Sequence, residues 1–378
     1  MALQESKKRV VWLDLLRVMA TCFVPMAHLC SNVINQTAGV LSADYLALNF
    51  VNSMCRWVVP VFVMISGVFF LDKEKECDPK KLFKKNIVRM ASAFLFWSFL
   101  YALQQNLLPA IGSHKEIPPF SERAFINDFI SGEYHMWYLY MIALLYLVTP
   151  LIKVFTDNAT KKQLEEFMIL SFIFANLIPM LLCIPFVKQF EFDTVYDDLN
   201  LSFISGYAGL YIAGQYMVRY PFRKKVRTFI YAMGFLGYAL TAGLNLWVSV
   251  RNDDPAKTFL NVEHASTVMI AYAIFTFFQH VVSKVEFKES RVKLIKWLSA
   301  RSFGVFLCHV LVMRAFQYFG IQVIHLSPKI ARIDLTHLPY IKFPAIIGIP
   351  VLTLLVLIGS LGVSWIFSKI PVLKKYVV

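Results

Sequence analysis

Long apolar stretches alternate with shorter polar segments along the whole chain, at about residues 10–30, 46–71, 87–108, 134–152, 166–187, 201–218, 228–250, 263–283, 297–319 and 343–367. Most are close to the roughly 20 residues a helix needs to cross the hydrocarbon core. The pattern predicts an all-α, polytopic membrane protein of about ten transmembrane helices. Composition agrees: the 378 residues are 58% hydrophobic, 15% aromatic and only 16% charged, with a mean hydropathy of +0.57.

Charge sets the direction of the helices. When the polar segments are assigned alternately to two sides, 27 of the 38 basic residues fall on the side of the N-terminus, 8 fall opposite, and Arg17, Arg56 and Arg314 lie within spans. The acidic residues divide the other way, 10 and 13, with Asp14 in a span. Basic loops stay on the cytoplasmic side, so both termini are expected to be cytoplasmic. Lys7-Lys8-Arg9, the 73–89 segment, Arg219 to Arg227 and Lys284 to Lys296 all fall on that face. The net charge of +14 is mostly this asymmetry, which points to membrane lipid rather than nucleic acid as a partner. The first apolar stretch is too long for the core of a cleavable signal and carries Arg17 and His28 instead of a small-residue cleavage site, so it is expected to remain a span. Six scattered cysteines without a CxxC pair predict neither a disulfide nor a metal site. One membrane domain over residues 1–378, without an appended soluble domain, is expected.

Chemistry is sought among the polar residues inside spans. A charge at the centre of a membrane helix costs about 2.5–3.5 kcal/mol even on the lenient insertion scale, so such residues mark functional sites by default. Arg17 and His28 are eleven residues apart. At 100° per residue the two return to within about 20° of one direction and stand about 16 Å apart along one helix face. Asp14, three residues before Arg17, is its neighbour on the helix surface, and a packing salt bridge is the alternative reading of that pair. With cytoplasmic entry near residue 10, Arg17 sits in the inner half and His28 toward the outer third, which suits an anionic ligand arriving from inside and a proton transfer deeper in. In the second span, Arg56 is near mid-membrane, Pro60 frees a backbone carbonyl one turn earlier, and Ser66-Gly67 permits close helix contact. His135 and Trp137 open the fourth span on the outer side, where an imidazole and an indole suit sugar recognition and an interfacial aromatic belt is the plainer alternative. His309 lies near the middle of the ninth span with Arg314 about 140° further round, so one of the two is expected to pack or snorkel. Most of the outer-loop acids, Glu133, Glu191, Asp193, Asp197, Asp198, Asp253 and Asp254, read as solvated charge, with gating or acceptor binding as the alternative, and His114, His264, His280, His325 and His337 are not singled out by any spacing.

Taken together, Leu13-Asp14-Leu15-Leu16-Arg17 with His28, the Ser-Gly stretch Pro60 to Phe70, Tyr134-His135-Met136-Trp137-Tyr138-Leu139, and Ser302-Phe303-Gly304-Val305-Phe306-Leu307-Cys308-His309 resemble, in order, four motifs of the acyltransferase-3 family of integral membrane acyltransferases. Asn52 to Phe70 and Tyr134 to Ile152 look similar to the branch of small, single-domain members typified by the O-acetyltransferase of enterobacterial common antigen. The resemblance implies acyl transfer, usually acetyl from acetyl-CoA, to a hydroxyl of a glycan or glycolipid at a bacterial cytoplasmic (inner) membrane. It implies that Arg17 and His28 are required for activity, with His28 as general base. With His309 favoured by its family position, the residues read above as polar or aromatic within or at the mouths of spans, Asp14, Arg56, Ser66, His135 and Trp137, complete the candidate substrate-binding set. Many members carry two arginines three apart at the start of the third helix; here Arg89 matches one, Asn86 replaces the other, and Lys85 is the candidate substitute. Arg17, Lys85 and Arg89 are accordingly the candidate acyl-CoA contacts. A multi-span transporter or flippase is the competing class, because buried charges in ten spans also suit a carrier. A structural subunit of a polysaccharide assembly complex is the third.

Overall fold

In a computed structural model, the described residues are 2–107, 120–188, 190, 194, 196, 206–318 and 344–377, with the side chains of 2–10, 36, 107, 317 and 318 excepted. The principal helices, in chain order, are α1 (Ala2–Val33), α2 (Ala43–Cys55), α3 (Val58–Phe70), α4 (Val88–Leu107), α5 (Glu122–Ser131), α6 (Trp137–Asn158), α7 (Lys161–Ser171), α8 (Ala208–Arg219), α9 (Lys224–Asn252), α10 (Ala265–His280), α11 (Glu289–Ser299), α12 (Ser302–Tyr318) and α13 (Ala345–Phe367). No strand occurs among the described residues. The protein is all-α, as the apolar pattern predicts, because in lipid a helix is the element that satisfies its backbone within one segment. Eight described helices are long and apolar enough to cross a membrane, and a ninth arises if Glu289–Ser299 and Ser302–Phe316 form one interrupted span. The stretch expected at 201–218 is described from residue 206 and carries α8; its beginning lies outside the described residues. So do Glu191, Asp193, Asp197, Asp198, His114, His325 and His337, and the side chains of Lys7, Lys8 and Arg9.

Contacts divide the chain into two compact units, each described by itself: Met1–Cys77 with Thr149–Ser299, and Asp78–Val148 with Ala300–Val378. In the first unit the second span is broken. α2 begins at the cap Ser42, whose side chain accepts from Tyr45 N, and ends at Cys55. α3 restarts at Val58, with Pro60 in its first turn. Proline has no N–H to offer the Arg56 carbonyl and is tolerated at a helix start, so the break falls at Arg56–Trp57. α3 then crosses α8 at near-contact. A Cβ on Gly67 would lie 1.8 Å from Tyr211 O, and one on Gly214 would lie 2.0 Å from Met64 O. Two backbones can approach this closely only because both positions lack a side chain.

A buried polar network fastens the loop after α9. Asn49 Nδ2 donates to Ala242 O at 2.9 Å, and Asn245 Nδ2 donates to Asn49 Oδ1 and to Ala256 O, each at 2.9 Å. Phe259 N–H donates to Asn245 Oδ1 at 3.3 Å, and Ala256 N–H donates to Ser249 Oγ at 2.9 Å. The Tyr45 hydroxyl donates to the same Ser249 oxygen. Asn49, Asn245 and Ser249 are fully buried. Each would cost about 1–3 kcal/mol if left unsatisfied, so the network holds the 253–260 loop in one arrangement.

In the second unit α4 carries the core. Trp97 stacks on Phe367 with ring centroids 5.6 Å apart, and its Nε1–H donates to Val377 O at 3.3 Å. One turn later the Tyr101 hydroxyl donates to Leu307 O at 2.8 Å and accepts from Leu311 N–H at 3.1 Å. Those two backbone groups would pair with each other in an uninterrupted α-helix, so Tyr101 inserts into the ladder of α12 beside His309.

Candidate functional site

On α1 of the first unit, Asp14 and Arg17 form the expected i,i+3 pair, Nη1 to Oδ1 at 3.4 Å. Ser299 on α11 completes a triangle: its hydroxyl donates to Asp14 Oδ1 at 2.7 Å and accepts from Arg17 Nη1 at 3.1 Å. The guanidinium also lies 5.4 Å from the centroid of Phe69 on α3. Arg17 is thus held from three elements, with one carboxylate partner and a side chain that remains 29% exposed. Thr21 Oγ1 donates to Arg17 O at 2.8 Å, and Pro25 lies inside α1 one turn later. The missing proline N–H leaves the Thr21 carbonyl open to another donor between Arg17 and His28. His28 is half-buried further along the same helix.

Arg56, at the break between α2 and α3, donates through Nη2 to Ser31 Oγ at 2.7 Å and to Asn52 Oδ1. Asn52 Nδ2 donates to the same Ser31 oxygen at 3.2 Å. Lys257, in the loop fastened by the asparagine network, donates to Ser31 O at 2.8 Å. Its amine is pushed below the usual lysine range, first by partial desolvation and then by the neighbouring Arg56 charge. Ser66 donates to Phe62 O within its own helix at 3.0 Å, which accounts for its hydroxyl by packing alone.

The second unit brings together residues that sequence separates. The rings of His135 and His309 are 4.8 Å apart, centroid to centroid, and both are fully buried. His309 Nδ1 is 2.6 Å from Phe306 O, and His135 Nε2 is 3.3 Å from Leu307 O. A carbonyl only accepts, so each of those nitrogens carries the hydrogen, and the lone pairs lie on His309 Nε2 and His135 Nδ1. The rings of Tyr101 and Phe306 pack on His135, each with its centroid 5.5 Å away. His135 is therefore not at an open mouth beside Trp137. The helical turn Tyr134–Met136 turns it inward while Trp137 stays 40% exposed. Of His309 and Arg314, the second takes a packing role. Arg314 pairs with Glu133 at 2.8 Å and Gln104 at 2.7 Å, with its guanidinium 5.9 Å from the Tyr101 ring. A long side chain curls back across the helix surface, so 140° of separation does not keep it out. Glu133, read from sequence as loop charge, is 4% exposed and is the counter-ion. The signal that could have found it is Arg314 itself, a spanning cation that needs a carboxylate at its own depth.

A basic cleft lies at the other end of the same unit. Arg89, near the start of α4, sits with its guanidinium 5.1 Å from the centroid of Phe303. It lines a cavity of about 710 Å³ together with Arg301, Ser364, Ser368, Lys369 and Lys374. Four cations and no carboxylate line it, and the volume is within the range of small-molecule sites, so its field suits the phosphates of a ligand. Lys85, expected as the second cation beside Arg89, is exposed and is not among the lining residues. The π-helical turn Phe83–Ile87 separates the two and alters their register, and Arg301, Lys369 and Lys374 supply the positive charge instead.

Comparison with known proteins agrees with the family motifs. A family model described as an acyltransferase domain, Acyl_transf_3, matches residues 10–369, and the chain belongs to that family. No curated protein and no solved structure matches the chain.

Proposed function

We propose that this acyltransferase moves an acyl group, acetyl, from cytoplasmic acyl-CoA to a hydroxyl of a surface glycan or glycolipid precursor at a bacterial inner membrane. The observation that carries this reading is the spacing of Arg17 and His28 on α1, in a chain matched to the acyltransferase domain over residues 10–369. His28 accepts the proton of the acceptor hydroxyl as its oxygen attacks the thioester carbonyl. The C–S bond breaks, and the leaving thiolate takes that proton back from the imidazolium. Arg17, held by Asp14 and Ser299 about 16 Å from His28 along α1, is too far from the base to touch the carbonyl under attack and serves the anionic part of the donor. Asp14 and Ser299 act through Arg17 as positioning residues.

Within the second unit, the cleft of Arg89, Arg301, Lys369 and Lys374 carries the charge that a phosphate-bearing ligand needs. Arginine grips phosphate with a planar fork and lysine supports it as a point charge, so this mixed set fits a pyrophosphate and does not depend on Lys85. Within the second unit, His135, His309 and Trp137 remain candidate substrate contacts. Incubating the protein in nanodiscs with radiolabelled acetyl-CoA and a total envelope glycolipid extract tests the reading. Label is expected in the glycolipid, and His28→Ala should abolish the transfer with CoA binding kept within about threefold. Transport of a glycolipid across the bilayer with no CoA release in any condition overturns it in favour of a carrier.

A further inference from the structure

Arg56 and Lys257 come from distant parts of the first unit and donate to two oxygens of one residue, Ser31. Among the described residues neither forms an ion pair, and Arg56 Nε is buried with no hydrogen-bond partner. Two positive charges close together without a carboxylate repel each other, which adds to the desolvation that already lowers the basicity of Lys257. A spanning arginine ordinarily sits beside an acid, as Arg314 does with Glu133. The arrangement is nonetheless built. Asn52 and Ser31 aim one edge of the guanidinium, and the loop that carries Lys257 is fixed on both sides through Ala256 and Phe259.

We propose that Arg56 and Lys257 form a binding site for a phosphate group, which supplies the negative charge that the protein leaves out. The fork of Arg56 keeps its Nε edge to donate, and the Lys257 ammonium approaches from a second element. Two cations balance a phosphate monoester, which carries between one and two negative charges near neutral pH. Ser31 lies three residues after His28, about 4.5 Å along the axis of α1. On the acyltransfer reading, on which this assignment of the ligand rests, the phosphate belongs to the acceptor and holds its hydroxyl within reach of the base. The same chemistry is offered by a phospholipid headgroup.

The test uses the full chain in phosphatidylcholine nanodiscs, titrated with inorganic phosphate by calorimetry. Wild type should bind saturably. Lys257→Gln and Arg56→Gln should each raise the dissociation constant at least tenfold, and Lys257→Arg should stay within threefold. Lys257 is an exposed loop residue, so its variants test the site even if Arg56→Gln folds poorly. A second arm adds phosphatidic acid to the nanodisc. Loss of phosphate binding there assigns the site to a lipid headgroup, and unchanged binding assigns it to a phosphorylated acceptor. Absence of saturable binding in wild type, or equal affinities in all variants, overturns the site. Phosphate binding that depends on Lys257 in a protein that does not turn over acetyl-CoA would leave the site standing and remove only the acyltransfer reading.

Discussion

In the second unit, Arg314 meets Glu133 and Gln104, and His135 and His309 each direct one ring nitrogen to a backbone carbonyl; in the first, Arg56 and Lys257 share Ser31 with no carboxylate among the described residues. Both arrangements put polar groups where hydrocarbon penalises them. The cluster in the second unit balances its charge internally, by pairing Arg314 with the buried Glu133 and by a helix opened with the Tyr101 hydroxyl, although the Arg89 cleft of the same unit does not. The first leaves positive charge over. A group compensated within the protein is explained by folding, whereas one that is not requires something outside the chain. Arg17 stands between these cases: like Arg314 it has a carboxylate partner and is 29% exposed, but its contact is longer, 3.4 Å against 2.8 Å.

Stability measurements can break this contrast. Glu133→Ala strands a spanning arginine and should cost about 3–5 kcal/mol, read as a large fall in thermal midpoint in detergent, with much of the loss recovered when Arg314 is also replaced by Met. An equal loss in the single and double variants would show that Glu133 is not a counter-ion. Gly67→Ala should cost about 1–3 kcal/mol by forcing α3 from α8, and Gly214→Ala should behave alike. Arg56→Met should change stability least, by about 1 kcal/mol or less, because the lost hydrogen bonds to Ser31 and Asn52 are offset by relief of the repulsion with Lys257. A loss as large as that of Glu133→Ala would place Arg56 with the internally balanced residues and remove the distinction between the two clusters.

Much of this architecture is legible in the sequence because the bilayer simplifies the problem. A stretch of twenty apolar residues has few options besides a helix, so the spans follow from hydropathy alone. The alignment of Arg17 with His28 and the contact with Asp14 follow from helix period within a single element. Pro60 marks the break that exposes Arg56. What escapes is pairing between elements. Glu133 and Arg314 are 181 residues apart, and Asn49 and Asn245 are 196 apart, and nothing local in either sequence neighbourhood announces its partner. Lys257 sits in a polar loop and reads like any solvated lysine until the asparagine network is seen to fix it beside Ser31. Lys85 is likewise exposed and does not line the cleft of Arg89, and the wide turn Phe83–Ile87 that contains it is not marked in the sequence.

Both units hold a histidine that could act as the base, and one experiment separates them. Single-turnover release of CoA from acetyl-CoA, measured with the envelope glycolipid extract on His28→Ala and His309→Ala under saturating donor, is the most direct comparison. Loss of a positioned base lowers rates by about 10²- to 10⁴-fold, so His28→Ala should fall by at least a hundredfold with donor binding preserved, and His309→Ala should keep at least a tenth of the rate. A collapse in His309→Ala with near-normal turnover in His28→Ala would move the chemistry to the second unit and contradict the role assigned to α1.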